Sequence, residues 1–157
     1  MTDDCAPETP DAPHLAALPD FDLLNQHGES VRRSDLLGAP AFVVFYPHAF
    51  TPVCAGELDQ LTGASLALGI RIVAVSTDPQ PTLAAWQAQR PRPFDLLADY
   101  WPHGEFAQAC EAFDDLSGAA RRAALAVDAE GAVRARIETA SGQARPLTWY
   151  EEWARQL

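Results

Sequence analysis

Apolar residues recur along this chain in two ways, as short unbroken runs and at intervals of three to four residues. The alternation of the two predicts an α/β fold. Ala41 to Tyr46 is wholly apolar, β-branched or aromatic, the composition of a strand buried on both faces, and Ile70 to Val75 reads as the next buried strand. Pro19 to Leu24 alternates apolar and polar positions, a short strand followed by a turn at Asn25 to Gly28. Helical spacing begins at Cys54 and continues through Leu58, Leu61, Ser65 and Leu68 until Gly69 stops it. Thr77-Asp78-Pro79 turns the chain into a helix over Pro81 to Arg90, with Leu83 and Trp86 inward. Phe94 to Leu97 is short and extended. Gly104 to Phe113 reads as a helix with Phe106, Ala109, Cys110 and Phe113 on one stripe. Arg122 to Val127 and Ala132 to Ile137 form a hairpin around Asp128 to Gly131. A helix over Pro146 to Gln156 closes the chain, with Leu147, Tyr150 and Trp153 on its apolar face.

This order predicts a mixed central sheet with helices on both faces. The chain carries no internal repeat and no interior linker, so residues 15–157 are expected to form one α/β domain. Residues 1–14, with Pro7, Pro10 and Pro13 among acidic and small residues, are expected to be a flexible tail.

Composition narrows the chemistry. With 48% hydrophobic and 21% charged residues, a chain of 157 residues is an ordinary folded domain. Its longest apolar run, Ala41 to Tyr46, is far short of the roughly 20 residues that span a bilayer. The 22 acidic residues against 11 basic ones give a formal charge of -11, which repels nucleic acid and anionic lipid. All the basic residues are Arg; without Lys there is no Schiff-base or lysine-nucleophile chemistry on a side chain. The start, Met1 to Cys5, lacks the basic and apolar regions of a secretory signal. The three cysteines, Cys5, Cys54 and Cys110, are odd in number and far apart, which argues against a disulfide-stapled secreted scaffold and for a cytoplasmic protein with at least one free thiol.

Cys54 stands out among them. It follows a buried strand and the loop Pro47-His48-Ala49-Phe50-Thr51-Pro52, and it falls in the first turn of the next helix. Unpaired N–H groups and the positive end of the helix dipole favour an anion there, so this thiol is expected to ionise more readily than a free cysteine. The Thr51 hydroxyl is positioned to turn toward the sulfur or toward a bound oxygen, and Pro47 and Pro52 stiffen the loop. The plain alternative is a small buried residue behind an N-terminal cap.

The pattern Pro47-x-x-x-Thr51-x-x-Cys54-x-x-Glu57 resembles the active-site signature of the peroxiredoxins. The likeness extends to Pro19-Asp20-Phe21, Gly28 and Ser34-Asp35, which are similar to that family's opening hairpin. It also takes in Arg122, six residues before Asp128 of the hairpin. Leu97-Ala98-Asp99-Tyr100-Trp101-Pro102-His103-Gly104 is similar to the one-cysteine AhpE-like branch. Where the family usually carries Thr or Ser and then Phe after the arginine, this chain has Ala123, Ala124 and Leu125.

The resemblance implies a thioredoxin-like fold with an N-terminal β-hairpin and a thiol peroxidase without cofactor or metal. Its substrates would be hydrogen peroxide, organic hydroperoxides or peroxynitrite. Cys54 would attack the peroxide as thiolate and become a sulfenic acid, with Thr51 hydrogen-bonding the substrate and Arg122 stabilising charge on sulfur and on the leaving oxygen. Pro47 would shield the pocket, Glu57 would orient an arginine, and Tyr46 would back the site. A thioredoxin-, glutaredoxin- or mycoredoxin-like protein, or a small thiol, would return Cys54 to the reduced state. The family also implies a homodimer, with the Pro47 to Phe50 loop, Tyr100 and Trp101 as its expected contacts.

Other features receive simpler readings. Cys110 is a candidate resolving cysteine, but its place on an apolar helical stripe points to a core thiol. Cys5 is incidental, an intermolecular partner or a tethered resolver. His48 and His103, with Cys54 and Cys110, match no usual zinc spacing. His48 is expected at the pocket rim or a subunit contact, and His103 is expected to cap the helix that follows it or pack beneath it. Alternation along the strand lets only one of Arg121 and Arg122 face the pocket. Trp86, Trp101, Trp149 and Trp153 read as core or subunit contacts, and Asp114-Asp115 and Glu151-Glu152 as solvated surface. Two other functions stay open at this level: a non-catalytic redox sensor or binding module, and a cysteine hydrolase with His48 or His103 as base.

Overall fold

The computed structural model describes residues 15–140 and 142–157. The expected tail, and Cys5 within it, lie outside the described residues. Strand β1 (Asp22–Leu24) turns into β2 (Ser30–Arg32), and a short helix α1 (Arg33–Leu36) leads to β3 (Ala41–Phe45). Helix α2 (Pro52–Leu68), strand β4 (Arg71–Ser76), helix α3 (Gln80–Gln89) and strand β5 (Asp95–Ala98) follow. Helix α4 (Glu105–Ala109) precedes a two-stranded ribbon, β6 (Phe113–Asp114) with β7 (Ala119–Ala120). Strands β8 (Arg122–Val127) and β9 (Val133–Thr139) and helix α5 (Leu147–Gln156) complete the chain.

Seven strands form one mixed sheet in the order β2-β1-β5-β4-β3-β8-β9, parallel across β5, β4 and β3 and antiparallel at both sides. All-apolar β3 and β4, apolar from Ile72 to Val75, sit near its centre, where both faces are covered. Alternation sends Phe42, Val44, Ala124 and Ala126 to one face, against Leu58 and Leu61 of α2, Leu83 and Trp86 of α3, and Trp149 and Tyr150 of α5. Val43, Phe45, Ala123 and Leu125 face the other side, with Leu18, Phe21, Phe106 and Cys110. The fold is the expected mixed sheet between two helical layers, opened by the β1–β2 hairpin.

One element departs from the sequence pattern. The apolar residues from Phe106 to Phe113 are not one helix: α4 ends at Ala109, Glu111 takes a positive φ of 57°, and Phe113 begins a strand. Ala109 is exposed, and Ala107 takes the buried place beside Phe106 and Cys110. Pairing of Phe113 with Ala120 and Asp114 with Ala119 overrides the helical spacing. The helix is anchored at its start by buried Asp99, whose carboxylate accepts from the N–H groups of Phe106 and Ala107 at 3.1 and 2.8 Å. Burial pushes the Asp99 carboxyl up to about 6, with those two hydrogen bonds acting against it. His103 does not pack beneath α4. Its Nε2 lies 2.6 Å from the Gly118 carbonyl oxygen, tying the loop before α4 to the β6–β7 ribbon.

Gly104 makes this close approach possible. Its φ is +70°, and a Cβ there would collide with the Phe113 ring. Gly104→Ala is expected to lower stability by about 2–4 kcal/mol through strain and overpacking. Urea unfolding reads the change, and a loss within error would show that Phe113 yields freely.

Candidate active site

Strand β3 delivers Tyr46 and Pro47 to the end of the sheet, and α2 begins five residues later with Pro52 as its first residue. The loop between them is pinned by Asp78, whose Oδ2 accepts from Ala49 N–H at 2.8 Å and from the Ser76 hydroxyl at 2.7 Å. Phe50 holds a positive φ of 65°, a strained conformation for a residue with a side chain. Cys54 lies in the first turn of α2 and is 1% exposed. The first helical bond of this turn runs from Ala55 N–H to Thr51 carbonyl oxygen. The amides of Val53 and Cys54 therefore lie in the opening turn, the region of unpaired N–H groups. Thr51 does not turn its hydroxyl to the sulfur; it donates to the His48 carbonyl oxygen at 2.8 Å, which leaves its lone pairs as acceptors.

The sulfur's partner is Arg122. Its Nη2 donates to Cys54 Sγ at 3.3 Å, and its Nη1 donates to Glu57 Oε1 at 2.8 Å. Glu57 is one turn along α2 from Cys54, so a single helix face presents both groups to the guanidinium. Alternation turns Arg122 inward to the sulfur and leaves Arg121 exposed, but both line the pocket beside the site, so the expectation that only one of them faces it does not hold.

A second arginine, which the sequence did not single out, completes the cluster. Arg145 is 2% exposed and donates from its backbone N–H and Nε to Glu57 Oε2, at 2.7 and 2.8 Å, and from Nη2 to Oε1 at 2.6 Å. Its Nη1 donates to the carbonyl oxygens of Phe45 and Ala123. Those two residues lie just beyond the last paired positions of β3 and β8, Val44 and Ala124, so the guanidinium spans the gap where the two strands part. The only sequence signal for it is an arginine directly before the proline that opens α5. Burial alone would raise the Glu57 carboxyl, but hydrogen bonds and charge from Arg145, then Arg122, outweigh it and hold the group below the usual carboxylate range.

Tyr46 and Tyr150 back the cluster. Both hydroxyls are buried without a hydrogen-bond partner among the described residues. Burial pushes the Tyr46 hydroxyl well up and that of Tyr150 up to about 12. A pocket of about 290 Å³ opens beside the cluster, lined by Pro47, His48, Arg122 and Thr139, with Ser117 and Arg121 at the ribbon side. His48 therefore stands at the pocket, exposed, and neither it nor His103 bonds Cys54. A histidine-based hydrolase lacks its base.

Cys110 lies across the sheet. Cys54 belongs to the core packed by α2, α3 and α5, and Cys110 to the core on the opposite face. Both thiols are free and buried, and burial, then the Asp99 carboxylate, pushes the Cys110 thiol far up. Of the tryptophans, Trp86 and Trp149 are core residues, Trp153 packs partly buried against the core, and Trp101 stands 81% exposed.

The profile of the AhpC/TSA family matches residues 15–136. Alkyl hydroperoxide reductase E of Mycobacterium tuberculosis is 39% identical over 128 residues, which is 76% of this chain and 80% of that protein. Peroxiredoxin Bcp of Escherichia coli is 33% identical over 102 residues, 60% of each chain. Among solved structures, AhpC of Enterococcus faecalis superposes with a TM-score of 0.79 at 26% identity and covers 92% of both chains. Peroxidoxin BcpB of Mycobacterium tuberculosis gives 0.78 at 25% identity, over 93% of this chain and 99% of that one.

Glu57→Gln leaves two buried guanidiniums facing a neutral amide and is expected to cost about 3–5 kcal/mol at neutral pH. The folded carboxyl titrates below its ordinary value of 4.5, so its contribution is full above that pH and is lost as pH falls beneath it. Urea unfolding across this range should show the difference between wild type and variant narrowing toward acid. A constant difference would mean that the Glu57 charge contributes nothing.

Proposed function

The chain belongs to the AhpC/TSA family of peroxiredoxins and is a thiol-dependent peroxidase, and we propose that Cys54 is the sulfur that attacks the peroxide. The observation that carries this assignment is the Arg122 guanidinium, held by Glu57 and donating to Cys54 Sγ at 3.3 Å. A fixed cation at that distance favours an anionic sulfur and remains in place as charge develops on the departing oxygen. The peroxide enters beside Pro47. Thr51, its hydroxyl proton committed to the His48 carbonyl, accepts a hydrogen bond from the substrate, and the first-turn amides of α2 donate to it. Attack along the O–O axis transfers the terminal oxygen to sulfur and releases an alcohol or water. Glu57 and Arg145 are positioning residues that hold Arg122.

A thiol reductant then regenerates Cys54. Because the sheet stands between Cys54 and Cys110, we read the reductant as external, a thioredoxin-like protein or a small thiol, and Cys110 as a core thiol. We also read residues 15–157 as one catalytic domain, placed in the cytoplasm, where buried free thiols stay reduced. Exposed Phe50, Tyr100 and Trp101 lie near the active-site end of the sheet and support a homodimer formed through that face.

Stopped-flow mixing of the reduced protein with hydrogen peroxide, with mass spectrometry of the thiols, tests the assignment. Cys54→Ser should abolish the fast phase, and Cys110→Ser should leave it unchanged. Arg122→Met should slow it about 10²–10³-fold, the usual cost of removing one charge-stabilising donor. Oxidation no faster than that of free cysteine would overturn the assignment. Loss of a second thiol that disappears in Cys110→Ser would make Cys110 the resolver.

A further inference from the structure

The cluster at Cys54 does not balance its charge without the sulfur. Arg122, Arg145 and Glu57 are each at least 97% buried by their exposures of 3, 2 and 3%, and together they carry two positive charges and one negative. Glu57 has no acceptor capacity to spare: its two oxygens already take four hydrogen bonds, three from Arg145 and one from Arg122. Donors exceed acceptors as well, since Arg122 Nε is buried with no partner among the described residues. An unpaired buried charge is strongly unfavourable, and the one group in contact that can supply a negative charge is Cys54. This requirement does not end when the sulfur is oxidised.

We propose that the site holds residue 54 as an anion through the peroxide step, so that Cys54 leaves it as sulfenate rather than neutral sulfenic acid, and solvent supplies no proton. This inference rests on Cys54 being the nucleophile. The bookkeeping closes within the reactants. A thiolate lone pair forms the S–O bond to the terminal oxygen, and the O–O bond breaks. The hydrogen on that terminal oxygen then passes to the departing RO⁻. Sulfur is oxidised by two electrons, the peroxide is reduced to ROH, and one negative charge stands on each side. A neutral sulfenic acid would require one further proton.

No group in contact with the sulfur offers one: His48, Asp114, Arg121 and Glu138 line the adjoining pocket, but none of them bonds Cys54, whose one hydrogen-bond partner among the described residues is Arg122. From α2 comes Glu57, held ionised; from β8 and the segment before α5 come two guanidiniums. Tyr46 of β3 and Tyr150 of α5 are phenols whose hydroxyls burial pushes up. The Thr51 hydroxyl proton is engaged by a carbonyl. The added oxygen instead brings lone pairs to a cluster with a surplus donor, Arg122 Nε.

The test counts protons. Reduced protein in weak buffer at neutral pH, containing a pH indicator, is mixed with one equivalent of hydrogen peroxide. Ultraviolet absorbance gives the starting thiolate, and mass spectrometry counts the Cys54 oxidised. Full thiolate at the start with close to no proton taken up per oxidised Cys54 is the expected result. Uptake of one proton overturns this inference and leaves the peroxidase assignment standing, as does a starting state that is neutral thiol. Failure of Cys54 to oxidise overturns both.

An isosteric pair supplies an independent reading without chemistry. Cys54→Asp should unfold at a higher urea concentration than Cys54→Asn, because only the former restores the missing negative charge. Equal midpoints, or a more stable Asn variant, would show that the cluster needs no anion at this position.

Discussion

A single carboxylate, that of Glu57, holds the active-site end of this molecule together. It lies inside the protein between two guanidiniums, and through them it ties α2 to β8 and to the segment that opens α5. None of these groups could be buried alone, since each would carry an uncompensated charge into a medium that solvates it poorly. Held jointly, they fix the rotamer of Arg122 and so the distance from its guanidinium to the sulfur. Arg145 adds a second service. Where β3 and β8 stop pairing, it satisfies the free carbonyls of Phe45 and Ala123, so the sheet can splay open around the site without leaving orphaned acceptors.

The remainder of the fold sets what this cluster can meet. The two thiols of the described residues occupy opposite faces of the sheet. Of the two, Cys54 accepts a hydrogen bond from a guanidinium and has a pocket that reaches its neighbours. The other is fully buried in the core that holds Phe106 and Leu125. On the proposed assignment, reactivity follows the layer: the same side chain is a reagent in one core and packing material in the other.

Much of this was legible in the sequence because it is local. Apolar, β-branched-rich runs located β3 and β4, three- to four-residue spacing located α2 and α3, and Cys54, Glu57 and Arg122 stood out by motif and by position on predictable elements. What escaped is governed by contacts between distant segments. Phe106, Cys110 and Phe113 have helical spacing, yet pairing across the β6–β7 ribbon took Phe113 away from the helix. Arg145 lies 88 residues from Glu57 on an irregular segment, where no periodicity marks an inward side chain. The direction of the Thr51 hydroxyl depended on the path of a loop strained at Phe50, which a residue pattern does not encode.

Arg145 also bears on how the protein is made. Ribosomal synthesis runs from Glu57 to Arg122 to Arg145, so the carboxylate is produced first and its last counter-charge much later. A nascent chain that has released α2 and β3 possesses the thiol and its helix, but not the pair of cations that lets Glu57 enter the interior. Hydration of that carboxylate opposes closure of α2 on the sheet until the segment before α5 arrives. The buried cluster is therefore complete only in the tertiary structure that brings Arg145 to Glu57.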